Sequence, residues 1–500
     1  MSPSKRAQPE QAVSSGRVAA LFAAMMTLAG CAVGPRYARP ITSAPAAYKE
    51  LPQGMKTAEP ADQHSRGKWW EIYGDSQLNA LEEKVRVSNQ TLKAAVAQFE
   101  QAAALVRWQR ADFYPTVTAG AAGSRTHVSG NRAVSNSLSP TNYSDIQMPV
   151  VGVSYEPDLF GRIRHTVEAA RTSAQASAGD VENVSLSIHA ALAVDYFQLR
   201  SLDAEEELLN SSVATFQRAL DLTQNRYEGG VASAIDVAQA QTQLETTRAQ
   251  AIDVQVARAQ FEHAMAVLTG VPASSFSLPN TPLKEVPPTM PVGLPSDLLE
   301  RRPDIAAAER RVASANEEVG IARAAYFPTI SLSGNGGFES TSLTNLLSGP
   351  SGFFSAGASA LVTVFDVGRR RAVTEESRAL LDQTAANYRE YVLVAFQEVE
   401  DNLAALRILA QEAETQQVAV AAAEHSVQLS LNRYKGGVAN YLEVTTNQGI
   451  ALSDERVAVQ IRGRRMVSSV QLIQALGGGW NRSEIPGGKI PNLPATATGQ

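Results

Sequence analysis

Cys31 is the only cysteine in 500 residues. A lone thiol makes neither an intrachain disulfide nor a multi-cysteine zinc site. The six histidines, His64, His127, His165, His189, His263 and His425, are widely separated, and no pair has metal-ligand spacing. Each is expected at a surface or groove rather than as a catalyst. "GNGG" at 334–337 lacks the lysine and following helix of a phosphate loop, so its glycines are expected in strand or loop. No nucleophile–base pair stands out, and no cofactor, metal or catalytic centre is expected. The net charge of −6 gives no basic footprint for nucleic acid.

What remains is the chemistry of one thiol and a few glycines and carboxylates. Residues 1–17 carry Lys5, Arg6 and Arg17, and residues 18–30, VAALFAAMMTLAG, are apolar or small. That run is shorter than the roughly 20 residues that span a bilayer, and it suits the core of a signal peptide over 1–30. Leu28-Ala29-Gly30-Cys31 resembles a bacterial lipobox, in which Cys31 becomes the mature N-terminus and carries a diacylglyceride. The thiol is then an attachment atom; an ordinary signal with a chance cysteine is the alternative. Ala32, where inner-membrane lipoproteins carry a retaining aspartate, implies sorting onward to outer membrane lipid.

The elements that must position these groups occur twice. RYEGGVASAIDV at 226–237 matches RYKGGVANYLEV at 433–444, an offset of 207 residues. DLFGR at 158–162 pairs with FDVGR at 365–369, again offset by 207 at Gly161 and Gly368. The Tyr-Pro at 114–115 pairs with the Phe-Pro at 327–328, offset by 213, and a longer loop in the first copy is expected to absorb the difference. The repeats are placed at 31–281 and 282–479, followed by a flexible tail over 480–500.

Each copy holds a breaker-poor run of 67 residues: 162–228 has only Gly179, and 369–435 has neither glycine nor proline. Tyr388, Val392, Ala395, Val399, Leu403, Leu406 and Ala410 step by three or four and make one apolar stripe. A helix of that length extends about 100 Å, longer than an ordinary globular domain encloses. The Gly-Gly of each RYxGGV ends it cheaply, and a second periodic run follows. Long hairpins are therefore expected at about 162–269 and 369–476. Four segments, about 115–126, 146–157, 328–338 and 353–365, alternate instead with period two. One side of each is apolar, as with Phe354, Ala356, Ala358 and Ala360; the other is small or polar, as with Ser355, Gly357 and Ser359. Small polar residues suit a water-filled lumen with the apolar side in lipid. Loops at 127–145 and 339–352 would join each pair. Four strands are too few for a membrane barrel of at least about eight, and open edges are untenable in lipid, so several chains must share one barrel. Three chains would supply twelve strands and twelve helical columns, although other closures remain open.

The lipobox, VGPRYARP (33–40), WWEIYGDSQLNAL (69–81), DLFGR, ERRPDIAAAERRVASANEEVGIARAAYFPTISL (300–332) and the two RYxGGV turns together resemble the outer membrane factor family of TolC-like efflux channels, in its OprM and NodT lipoprotein branch. The resemblance implies a mainly α fold with a transmembrane β part: a homotrimer whose twelve-stranded barrel in the outer membrane continues into a long periplasmic α-helical barrel. It implies a passive exit duct, lipid-anchored, serving a proton-driven inner-membrane pump through a periplasmic adaptor, or membrane fusion, protein. The family docks its adaptor at the hairpin tips, here Arg226, Tyr227, Gly229, Gly230 and Val231 and then Arg433, Tyr434, Gly436, Gly437 and Val438; a bare structural turn is the alternative. The branch closes its tunnel with an aspartate and an arginine just after the second tip. In YLEVTTNQGIAL (441–452), Thr446 and Gly449 stand in those places, so that ion pair is missing. Asp236 and Glu443 sit ten residues after the two tip arginines. With Thr446 they would line a cation-favouring constriction, or else serve as first-turn helix carboxylates. RRPD at 301–304 is expected to start a helix with surface ion pairs. A lipid-anchored coiled-coil scaffold or adhesin would account for the helices but not the alternating strands, and an envelope enzyme has no supporting motif. The transported compound is not legible.

Overall fold

The computed structural model describes residues 33–42, 44–50, 68–127, 129, 142–288 and 295–480. The signal segment, Cys31 and the chain beyond Trp480 lie outside the described residues.

The chain runs through helices α1 (Ser76–Ser88) and α2 (Gln90–Arg110), strands β1 (Thr116–His127) and β2 (Asn142–Tyr155), and helices α3 (Arg162–Glu228) and α4 (Ala234–Leu268). A single helical turn at Leu298–Arg301 precedes α5 (Pro303–Ala324), strands β3 (Thr329–Ser340) and β4 (Gly352–Leu361), and helices α6 (Arg369–Lys435) and α7 (Tyr441–Ala475). The order helix, strand pair, long helix, shorter helix occurs twice. α3 and α6 have 67 residues each, and α4 and α7 have 35 each. Gly179 interrupts neither the length nor the packing of α3: a Cβ there would lie 3.0 Å from Ala307 Cβ and 3.1 Å from the Pro303 carbonyl, so the glycine permits close approach of α5. Along α6, Tyr388, Val392, Ala395, Val399 and Leu403 are buried, and the stripe then passes to Leu409 rather than to Leu406 and Ala410.

The strands form one antiparallel sheet in the order β1-β2-β3-β4. The largest departures from the expected boundaries are at the start of β2 and the end of β4; β3 also runs on to Ser340, and β2 stops at Tyr155. Residues 142–145, expected in a loop, belong to β2, because Asn142 to Asp145 pair with His127 to Ser124. β4 stops at Leu361 rather than 365, because β3 begins at Thr329, the partner of Leu361, and offers no rung beyond it. The first strand pair also shifts register between Gly120 and Ala122, so its excess length lies in a bulge and extra rungs as well as in the loop.

Two compact units result, and neither coincides with a sequence copy. One draws on Glu100–Ala174, Glu309–Ala386 and the described residues up to Pro40, and holds the sheet. The other draws on Gln175–Ala308, the chain from Asn387 and the described part of Ile41–Phe99, and holds most of the paired helices. Among the described residues no helix is long and apolar enough to cross a membrane.

Candidate functional site

Residues directly opposite in a sheet point to the same face. The observed rungs Val117↔Val153, Val153↔Gly334, Tyr155↔Leu332, Leu332↔Ala358 and Ile330↔Ala360 therefore collect Val117, Val153, Tyr155, Ile330, Leu332, Ala358 and Ala360 on one face. Thr116↔Ser154, Thr118↔Gly152, Ser154↔Ser333, Gly152↔Asn335, Ser331↔Ser359 and Asn335↔Ser355 make the opposite face small and polar. On that face the Ser355 hydroxyl donates to the Asn335 side-chain carbonyl. Short hydroxyls hydrogen-bond water, and neither they nor the glycines project far into a lumen. Exposed Tyr114, Tyr326 and Phe327 lie just before β1 and β3, where the aromatic girdle of a membrane barrel belongs. β1 and β4 each have one unpaired edge.

Both hairpin tips end their long helices by the same mechanism. Gly230 and Gly437 adopt φ of 73°. Gly230 N–H donates to the Tyr227 carbonyl (2.9 Å) and Val231 N–H to Arg226 (2.8 Å); Gly437 donates to Tyr434 (3.1 Å) and Val438 to Arg433 (3.0 Å). These are the two bonds of a Schellman stop, which needs the left-handed residue that glycine supplies. The next helix starts at Ser233, whose hydroxyl accepts from Asp236 N–H while the Asp236 carboxylate accepts from Ser233 N–H, closing a capping box. Asn440 caps α7 by accepting from Glu443 N–H (3.2 Å).

The two tips are alike in sequence but not in surroundings. Arg226 donates to the Lys435 carbonyl (3.2 Å) and lies 4.8 Å above the Tyr434 ring. Tyr434 packs with Tyr441, Val444, Ala219 and Ala240, and its ring meets that of Tyr441 edge-on at 5.2 Å. Burial pushes the Tyr441 hydroxyl up to about 12. Tyr434 is 3% exposed, whereas its counterpart Tyr227 is 49% exposed. Arg226 and Tyr434 are thus turned inward to join the tips. Tyr227, Gly229, Gly230, Val231, Arg433, Gly436, Gly437 and Val438 remain exposed. Glu443 pairs with Arg433 at 3.3 Å. Thr446 returns its hydroxyl to the Leu442 carbonyl (2.8 Å) and contributes no charge.

Several polar residues behind these surfaces depart from expectation. His189 is buried, 2.5 Å from the fully buried Glu82 carboxylate and stacked on Trp70 at 4.5 Å. His165 pairs with Glu317 (2.5 Å) and presses against Gly34 and Gly320, where an added Cβ would lie 2.8 Å and 2.6 Å from the ring. In RRPD, Arg301 makes a surface pair with Asp297 (3.6 Å), a partner outside the motif. Arg302 is buried between Asp304 (2.7 Å) and Glu398 (2.5 Å) and donates to the Ala475 carbonyl. For the His165 site alone the sequence carried a signal: Gly320 is the only glycine in α5, and a lone helix glycine marks close approach. Ahead of α1, Val33 N–H donates to the Phe160 carbonyl and the Asn316 amide to that of Pro35, so the segment just after Cys31 is tied to the sheet-bearing unit. Among the described residues no group of acidic, histidine or cysteine side chains could hold a metal ion.

The family model of the outer membrane efflux protein matches residues 81–271 and 294–478, one span in each copy. The probable efflux pump outer membrane protein TtgC of Pseudomonas putida is 32% identical over 462 residues, covering 91% of this chain and 93% of the relative. The toluene efflux pump outer membrane protein TtgC of a second Pseudomonas putida strain shows the same identity and coverage. The solved structure of the outer-membrane channel OprN superposes with a TM-score of 0.83 at 28% identity, covering 90% of this chain and 100% of that one. With two matched spans, a four-stranded sheet having one lipid-suited and one water-suited face, and paired long helices, the chain belongs to the outer membrane efflux protein family and is an outer membrane channel component of an efflux system.

Proposed function

We propose that three copies of this chain close one water-filled barrel in the outer membrane and form the passive exit duct of a tripartite efflux assembly. The observation that carries this reading is the sheet: four strands, two open edges, an apolar face and a small, polar, hydroxyl-rich face. Such a sheet is unstable in lipid alone and complete only when its edges are paired. In this reading the driving energy and the choice of cargo fall to an inner-membrane pump, which we take to be proton-driven. One relative is named for toluene; in this reading that selectivity would also lie with its pump. A periplasmic adaptor would dock on the exposed part of the tips: Tyr227, Gly229, Gly230, Val231, Arg433, Gly436, Gly437 and Val438. Asp236 and Glu443 act there as local caps and ion-pair partners rather than as a charged constriction. Cys31 would carry the lipid anchor. The test is ion conductance of the purified protein in a planar bilayer. A duct gives discrete conductance steps, and a lipid-anchored scaffold gives none.

A further inference from the structure

The pairing within each copy obeys the sequence offsets. β1 maps onto β3 by 213 residues, anchored at Tyr114-Pro115 and Phe327-Pro328, and β2 maps onto β4 by 207, anchored at Gly161 and Gly368. Under these shifts the rung Thr116↔Ser154 becomes Thr329↔Leu361, and Val117↔Val153 becomes Ile330↔Ala360; both are rungs of the sheet. The two copies meet at β2·β3, where Ser154 faces Ser333 and Tyr155 faces Leu332. Carrying that junction forward by the same shifts sends β2 to β4 and returns β3 to β1. Those are the two outer strands of the sheet, so the partner of β4 must be β1 of another copy.

We propose that β4 pairs antiparallel with β1 of a second copy of this chain in the register Leu361↔Gly120 and Val362↔Ala119. This rests on the shared barrel proposed above and goes beyond it by fixing which residues meet. Two observations that the offsets do not contain agree with it. The first is facing. Ala119 lies with Val117 on the apolar face, opposite Val151, and Val362 continues the alternation of Ala358 and Ala360. The register therefore joins apolar to apolar, whereas a slip of one residue would reverse every side chain. The second is the bare end of β4. β2 runs one rung past its last pair with β1, to Tyr155, because β3 pairs with it there. β4 has no such neighbour within the chain, and it stops at Leu361 with that residue 75% exposed and Val364 89% exposed. The missing rung is Val362↔Ala119.

Facing alone leaves slips of two residues open, and cysteine pairs separate them. Opposed residues have Cα atoms about 4.5–5.5 Å apart, inside the roughly 4.4–6.8 Å that a disulfide spans. A two-residue slip adds about 6.7 Å along the strand and leaves that range. The double variants Val362→Cys with Ala119→Cys and Leu361→Cys with Gly120→Cys test adjacent rungs, one of which is the closer, non-hydrogen-bonded kind. A Cβ at Gly120 meets no atom within 4 Å. Ala360→Cys with Ala119→Cys and Val364→Cys with Ala119→Cys test the two slips. Cys31 is kept throughout, and the unaltered chain is the control. On mild oxidation of membranes, at least one of the first two variants should lose its monomer band to reductant-sensitive bands of two and three chains. Cross-linking by a slipped pair and by neither proposed pair overturns the register while leaving the shared barrel standing. Absence of cross-linking in all four overturns the pairing of β4 with β1 and the shared barrel with it.

Discussion

Glu82→Gln should remove a weakness of the helical unit toward alkali. Glu82 is fully buried, its Oε2 lies 2.5 Å from His189 Nδ1, and its Oε1 has no hydrogen-bond partner. Burial pushes the carboxyl up to about 9 from 4.5 and the imidazole down to about 4 from 6.5; Glu83 nearby raises the imidazole and Arg86 lowers it. Near neutrality both groups are uncharged, and the protonated carboxyl donates to Nδ1. Between pH of about 4.5 and 6.5 the unfolded chain holds one proton on this pair, on histidine, and the folded chain holds one, on glutamate, so the pair makes stability flat with pH. Above 6.5 the unfolded chain releases its proton while the folded chain keeps its own until about 9. The folded state then binds more protons, and stability falls as pH rises, by at most about 1.4 kcal/mol per pH unit. Below 4.5 the unfolded chain binds the extra proton first, and stability falls again. Glutamine reproduces the donor and has no proton to lose, so the variant loses the alkaline branch, and its acid branch, set by His189 alone, begins below about 6.5. From pH 6 to pH 8 the gap between variant and wild type should widen in favour of the variant by about 2–3 kcal/mol, a few degrees in midpoint for a chain of this size. The assay is loss of helical circular dichroism on heating in detergent at the two pH values. A gap that is equal at both, or smaller at pH 8, refutes the protonated-carboxyl assignment.

Gly230 and Gly270 share a φ near 72°, but a Cβ at Gly230 meets nothing within 4 Å, whereas one at Gly270 overlaps the Ser88 carbonyl oxygen. Gly230→Ala should therefore cost about 1–2 kcal/mol of backbone strain alone and Gly270→Ala clearly more; equal losses on thermal melting would contradict the steric argument. Arg226→Ala should loosen the joined tips by about 1 kcal/mol, the scale of a cation–π contact and one hydrogen bond, seen as severalfold faster deuterium exchange at 435–438; unchanged rates would show that Arg226 does not hold Tyr434. The double variant Asp236→Asn, Glu443→Gln should leave cation selectivity in bilayer recordings unaltered, since both carboxylates are engaged locally. A fall in selectivity would restore the charged-constriction reading.

Helix limits were legible because local rules set them. α3 and α6 end where Gly-Gly supplies the left-handed turn, and the absence of breakers between fixes their length. The two faces of the sheet were legible for the same reason, since period-two alternation needs no distant partner. What escaped depends on distant residues. The burial of His189 is decided by Glu82, 107 positions away, and that of Arg302 by Glu398, 96 positions away. No local pattern distinguishes such groups from surface ones. At the tips, the repeated RYxGGV motif predicts equal roles for Tyr227 and Tyr434, yet only Tyr434 has Arg226 over its ring. Alternation carries β4 to 365, but pairing, not alternation, ends a strand, and within one chain the pairing ends at Leu361.

The central claim is that one chain supplies four strands of a barrel that only identical copies can close. Native mass spectrometry of the protein extracted in a mild detergent tests it most directly. The account predicts one dominant species containing three chains. A dominant single chain that keeps its sheet content would contradict it.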